Sequence, residues 1–133
     1  MLCDVDHFKQ YNDHYGHTAG DECLRRIAKV LSATFKRAGE TCARYGGEEF
    51  AVVLPSVTDV QASKRAETAR QAVWDLDLEH QVSPISGRVT MSIGVAVKSV
   101  GRLETLQGIV QKADEALYRA KQEGRNRIVL CAG

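Results

Sequence analysis

No apolar run in this 133-residue chain approaches the roughly 20 residues needed to cross a bilayer, and no signal-peptide pattern opens it. A membrane span and a secreted product are therefore not expected. An excess of one charge is missing too. Eighteen Lys and Arg stand against 17 Asp and Glu, a formal net charge of +1, so neither a polyanion-coating surface nor an acidic tail is present. Nucleic acid is not an expected partner. The four cysteines, Cys3, Cys23, Cys42 and Cys131, show neither CxxC nor Cys/His ligand spacing. That excludes a zinc ribbon and argues for reduced thiols in a cytoplasmic setting. There is no internal repeat and no low-complexity segment. What remains is one globular domain, 44% hydrophobic and long enough to bury a core.

Periodicity supplies the elements. "MLCDV" is a short apolar strand. "HFKQYNDHYGHTAGD" is rich in Asn, Asp, His and Gly and reads as a loop or irregular turn. A helix follows from near Thr18, with Asp21 in capping-box position and an apolar stripe of Leu24, Ile27, Ala28, Leu31 and Phe35 before Gly39 stops it. "TCARY" and "EFAVVLP" make two strands around Gly46-Gly47. A second helix runs from about Asp59 to Asp77, with Ala62, Ala66, Ala69, Val73 and Leu76 on one face. "RVTMSIGVAV" alternates as a strand in which Gly94 marks a bulge or a close backbone approach. A third helix covers Leu103 to Gln122, and "RIVLC" closes as a strand before a small tail. The order is β-α-β-β-α-β followed by α-β. It predicts an α+β, ferredoxin-like core with one extra unit, its helices packed on a mainly antiparallel sheet.

Two short stretches carry chemistry. In "LCDVDHFK", strand alternation puts Asp4 and Asp6 on one side, or astride the strand's end. Acids there are costly to bury unless they meet a cation or hydrogen-bond donors; alone, they read equally as a solvated strand end. In "ARYGGEEFAVVLP" two glycines precede Glu48 and Glu49. If the first strand is central and neighbours the hairpin, Glu48 approaches Asp4, and carboxylates from adjacent strands form a hard-oxygen site suited to Mg²⁺ and phosphate. Gly46 and Gly47, lacking side chains, let phosphate or ribose approach the backbone. A solvated hairpin is the plainer alternative.

"RYGGEEF" resembles the signature of the GGDEF family, the diguanylate cyclases, in its GGEEF form. The likeness extends along nearly the whole chain. "DVDHFKQYNDHYGHTAGDE" is similar to the family's strand-and-loop motif, "VTMSIGVA" to its later strand and "ADEALYRAKQEGRNRI" to its C-terminal helix and strand. The resemblance implies a domain of polymerase-palm-like fold that condenses two GTP to cyclic di-GMP and two pyrophosphates. It further implies two Mg²⁺ per site (Mn²⁺ being a substitute), a homodimer that brings two half-sites together, and an upstream sensor or regulatory domain.

Position by position, the resemblance implies that Asp4, the carbonyl of Val5 and Glu48 hold metal. It also makes Glu48 the proton acceptor and gives Glu49 a supporting catalytic role. Asp6 is expected to be structural. Asn12 and Asp21 match residues that read guanine, and a side-chain amide and a carboxylate do suit guanine's edges. His17 and Gly47 are candidate substrate contacts. Lys9, Lys121 and Arg125 match basic residues that hold the β- and γ-phosphates; Lys121 and Arg125, four apart near a helix end, can aim at one anion.

Two departures stand out. Where the family's product-inhibition site has RxxD, this chain has "RAGE", Arg37 to Glu40, and the extra methylene of Glu40 displaces its carboxylate. The family's upstream helix and "DxLTGLxNRR" segment are also missing before the first strand. Residues 1–133 are thus expected to be a single GGDEF domain without its N-terminal helix and the start of its first strand, with its own activity in question. The competing reading is a non-catalytic module that binds GTP or cyclic di-GMP. A purely structural role leaves the Asp4–Glu48 pairing without a purpose.

Overall fold

The computed structural model describes residues 1–131; the tail residues Ala132 and Gly133 lie outside them. The elements are β1 (Leu2–Val5), α1 (Phe8–Tyr15), α2 (His17–Thr34), β2 (Thr41–Gly46) and β3 (Glu49–Val53). They continue with α3 (Asp59–Asp75), β4 (Met91–Val95), α4 (Leu106–Gln122) and β5 (Ile128–Leu130). The strands form one sheet in the order β2-β3-β1-β4-β5. Every pairing is antiparallel except β4–β5, which is parallel. β1 is central and neighbours the hairpin, as the ferredoxin-like reading expected.

Alternation along the strands divides the interior. Cys3, Val5, Phe50, Val52, Met91 and Ile93 join Ile27, Leu31, Ala66 and Val73 of α2 and α3 in the main core. A smaller cluster of Ala116, Ala120 and Val129 joins α4 to β5. Gly94 decides how closely α4 lies on the sheet. A Cβ there would stand 2.1 Å from the Ala113 carbonyl oxygen and 2.3 Å from the Leu117 nitrogen. The close-approach reading of Gly94 is the correct one; β4 runs through it without a break.

Two sequence expectations fail around the first loop. Phe8 to Tyr15 is a helix, α1, because Phe8 and Tyr11 are buried and Tyr15 packs beside them, at spacings of three and four. The Phe8 and Tyr11 rings lie 6.0 Å apart and nearly parallel. Polar neighbours masked that stripe. The next helix starts at His17 behind Gly16, whose φ is 90°, without a side-chain cap. Asp21 lies inside α2 and caps nothing, because the sharp α1–α2 corner is turned by the glycine. α3 does carry a full capping box, Thr58 with Gln61.

Candidate active site

The candidate site forms where β1 ends beside the double-glycine turn. Asp4 faces Glu49 across the β1–β3 ladder, and the N–H of Val5 donates to the carbonyl oxygen of Glu48 at 3.2 Å. The sheet therefore sets both acids of the turn next to the end of β1. Asp4 is only 7% exposed. Burial pushes its carboxyl up to about 6; the hydrogen bond and charge of Lys121 oppose this, while Glu48 and Glu49 add to it. Lys121, in the last turn of α4, donates from Nζ to Oδ2 of Asp4 at 3.0 Å.

Asp6 is occupied differently. The hydroxyls of Thr90 and Ser92 donate to it at 2.8 and 2.6 Å, and the N–H of Asn126 at 3.0 Å. Both carboxylate oxygens are engaged, which leaves Asp6 as an anchor for the turn after α4. That turn holds Arg125 and Asn126 in the left-handed region, at φ 64° and 46°, a conformation uncommon for non-glycine residues though readily adopted by Asn. Arg125 lies close enough to His7 to depress the His7 imidazole, second to burial itself.

Gly46 and Gly47 have open space where side chains would stand, and Arg44 Nε donates to the Gly47 carbonyl at 2.8 Å. Lys9 is exposed in the first turn of α1. Asn12 is half-buried, and its Oδ1 is buried with no hydrogen-bond partner among the described residues. That oxygen sits against Gly20, where a Cβ would stand 1.7 Å away. Asp21 follows at once and lines a cleft of about 340 Å³ with Leu24, Arg25, Cys42, Arg44 and Phe50. His17 is exposed at the first residue of α2.

Arg37 and Glu40 belong to a separate cluster. Glu40 accepts from Arg65 Nη1 at 2.7 Å and Nη2 at 3.0 Å, and from the Arg37 N–H at 3.0 Å. Arg65, reaching over from α3, also caps the Thr34 carbonyl and lies over the Phe35 ring. Glu40 is thus turned inward as a brace between α3 and the end of α2. Sequence reasoning missed Arg65, Gly20 and the Thr90–Ser92 pair. Only the last left a signal, two hydroxyls at strand period within an apolar run.

Among the described residues, no three His, Cys, Asp or Glu side chains group closely enough for a closed metal site. A cation bound at Asp4 and Glu48 must take its other ligands from backbone, water and phosphate, which is the habit of Mg²⁺. The carboxyl of Asp4, raised chiefly by burial and further by Glu48 and Glu49, and relieved here by the Lys121 ammonium, fits that demand.

The family described as diguanylate cyclase, GGDEF domain, matches residues 1–127. Diguanylate cyclase A of Treponema denticola is 42% identical over 130 residues, spanning 98% of this chain and 34% of its own. Diguanylate cyclase VdcA of Vibrio cholerae is 42% identical, over 97% of this chain and 38% of its own. Among solved structures, the GGDEF domain of DgcB from Caulobacter crescentus in complex with c-di-GMP superposes with a TM-score of 0.86 at 34% identity, covering 98% of this chain and 75% of that one. The active GGEEF domain of a diguanylate cyclase from Vibrio cholerae gives 0.82 at 33% identity, covering 99% and 81%. The chain belongs to the GGDEF domain family of diguanylate cyclases. It spans about a third of the length of these curated relatives.

Proposed function

We propose that this domain is a diguanylate cyclase catalytic unit that joins two GTP into cyclic di-GMP with release of two pyrophosphates. The observation that carries the reading is the acidic meeting point itself. A nearly buried Asp4 lies beside the Glu48–Glu49 turn, with Lys121 as its cationic neighbour. Such a carboxyl is an unfavourable investment for stability and a favourable one for gripping a cation.

Asp4, Glu48 and the Val5 carbonyl are the groups that would hold divalent metal, Mg²⁺ or Mn²⁺, two ions per site. When bound, such metal lowers the pKa of the attacking 3′-hydroxyl and neutralises charge on the α-phosphate and the departing pyrophosphate. The chain's own residues do the rest. Glu48 accepts the hydroxyl proton, and Glu49 supports it from the adjoining strand. Lys9, Lys121 and Arg125 hold the triphosphate tail, and Gly47 lets it approach the backbone. Asn12 and Asp21 read guanine, Asp21 from the cleft it lines and Asn12 through its side-chain amide; His17, exposed at the start of α2, is a further substrate contact.

Each domain binds one GTP, so the 3′-hydroxyl of one nucleotide must meet the α-phosphate of another, and two copies face each other for turnover. We further propose that this single domain works in the cytoplasm as part of a longer chain whose regulatory segment brings two copies together. The length of the relatives and the buried or half-buried thiols of Cys3, Cys23 and Cys42 favour that setting. At Arg37–Glu40 the inward brace to Arg65 leaves Glu40 unsuited to hold product. Cyclic di-GMP is therefore expected to inhibit only weakly. A non-catalytic binding module is the second reading, and the intact acidic pair argues against it.

The test is direct. Protein incubated with GTP and Mg²⁺ should yield cyclic di-GMP, at a rate per molecule that climbs with protein concentration. Glu48→Gln should lose this while melting like the parent. Turnover by the Glu48→Gln protein would remove the assignment.

A further inference from the structure

His80 lies in the segment between α3 and β4 and is 1% exposed. Its Nε2 stands 3.0 Å from the carbonyl oxygen of His7. A carbonyl can only accept, so Nε2 carries a proton and donates; in the neutral ring Nδ1 is then left as an acceptor. Nδ1 is buried and has no hydrogen-bond partner among the described residues. An apolar side chain would fill the same space without that standing cost, so packing alone does not account for a histidine here.

What the imidazole grips is unusual backbone. His7 is held at φ 52° and ψ 38°, in the left-handed region, and caps α1 without any side-chain bond. It immediately follows Asp6, and it opens the helix that carries Lys9 and Asn12. A small rotation at His7 would swing that helix relative to the acidic end of β1. The same segment secures the helix further along: the His80 ring meets Tyr11 edge-on at 5.3 Å, and the Gln81 N–H donates to the Tyr15 hydroxyl at 2.9 Å. The imidazole–carbonyl bond is this segment's hold on His7 itself, and it adds to the bond that the same carbonyl accepts from the Tyr11 N–H at 3.1 Å.

We infer that His80 is a positioning residue for nucleotide binding. By donating from Nε2 to the His7 carbonyl, it locks the left-handed turn between β1 and α1 and so sets where Lys9 and Asn12 stand relative to Asp4. It touches neither substrate nor metal. The inference rests on the nucleotide-binding reading above and adds to it a residue remote from the chemistry.

Two variants separate this role from core filling. His80→Phe keeps an aromatic ring against Tyr11 and removes the donor; His80→Gln keeps a donating nitrogen near the position of Nε2. Calorimetric titration with a non-cyclisable GTP analogue and Mg²⁺ should show about tenfold weaker binding for His80→Phe, and recovery to within about threefold of the parent for His80→Gln. In turnover, KM should rise more than kcat falls. Parent-like affinity in His80→Phe, or equal losses in both variants, overturns the inference. A second readout needs no nucleotide. The backbone amide resonances of Phe8 and Lys9 should move in His80→Phe and return in His80→Gln, and unmoved resonances in His80→Phe overturn it as well. If the parent binds no analogue, the nucleotide reading fails, and the amide resonances alone then decide whether His80 sets the turn.

Discussion

The ammonium of Lys121 lies 3.0 Å from Oδ2 of Asp4, across 117 positions of sequence. The pair joins the last turn of α4 to the central strand and gives Asp4 a counter-charge before any ligand arrives. Lys121 lowers the Asp4 pKa while burial raises it, and burial prevails. Lys121→Met should therefore raise the Asp4 pKa beyond its present value of about 6. Carboxyl carbon chemical shifts followed through a pH titration of metal-free protein would show it, and a lower value would mean that the ion pair does not control this acid.

The same shift makes a statement about stability. Asp4 titrates near 6 when folded and about 3.9 when unfolded, so the folded chain holds its proton more tightly. Its contribution is fully present below the unfolded value and is lost as pH rises through the folded one. Metal-free protein should lose stability between about pH 4 and pH 6 from this group, then level off. Asp4→Asn should remove that slope and be more stable than the parent at pH 7, by about 1–2 kcal/mol after allowance for solvent screening. It should also be inactive. Denaturant melts across the pH range provide the check, and an Asp4→Asn protein weaker than the parent at pH 7 would contradict the argument.

Gly20 separates site geometry from stability. An Ala there gains about 1 kcal/mol of helix propensity. Its Cβ, however, would stand 1.7 Å from Asn12 Oδ1 and 2.9 Å from Cγ, so the flexible amide must swing aside. Gly20→Ala should melt within a few degrees of the parent yet bind GTP about tenfold more weakly. Undiminished affinity would remove Asn12 from the guanine site.

Gly94 is the opposite case, because the obstacles are backbone atoms of α4 rather than a side-chain tip. Gly94→Ala must push the helix off the sheet. A loss of about 2–3 kcal/mol is expected, and it should appear as a lower urea midpoint. A midpoint equal to the parent's would mean that α4 has room to move.

Glu40 is held below the ordinary carboxylate range, chiefly by its hydrogen bonds from Arg65. A depressed pKa stabilises the fold above the unfolded value and loses that contribution as pH falls through the folded one. Glu40→Gln should accordingly melt below the parent at pH 7, and the two midpoint curves should converge in acid. Parallel curves would show that the Arg65 brace carries no charge-dependent stability.

Much of the fold was legible because its strands and three of its helices repeat apolar residues at periods that only those elements satisfy. That the acids of the double-glycine turn come beside the end of β1 was legible too, since a central first strand beside a hairpin is a topological expectation; the residue opposite Asp4 in the ladder is Glu49, where Glu48 was the one expected to approach. α1 was not, because Phe8, Tyr11 and Tyr15 are diluted by Asn, Asp and His that favour turns in isolation. Its helical state is won by burial of two rings in the core. The glutamate at position 40 was legible as a departure from the expected motif, but not as a brace, because Arg65 lies 25 positions away.

Local order in the chain thus determined which segments become strands and helices, where the double-glycine turn falls and which acids stand beside it. Tertiary packing alone decided that Lys121 meets Asp4, that Asp6 is consumed by Thr90, Ser92 and Asn126, and that His80 grips His7. The physical reason is that periodicity is a property of neighbours, whereas a buried polar group must find its partner wherever the folded chain brings one within hydrogen-bond reach.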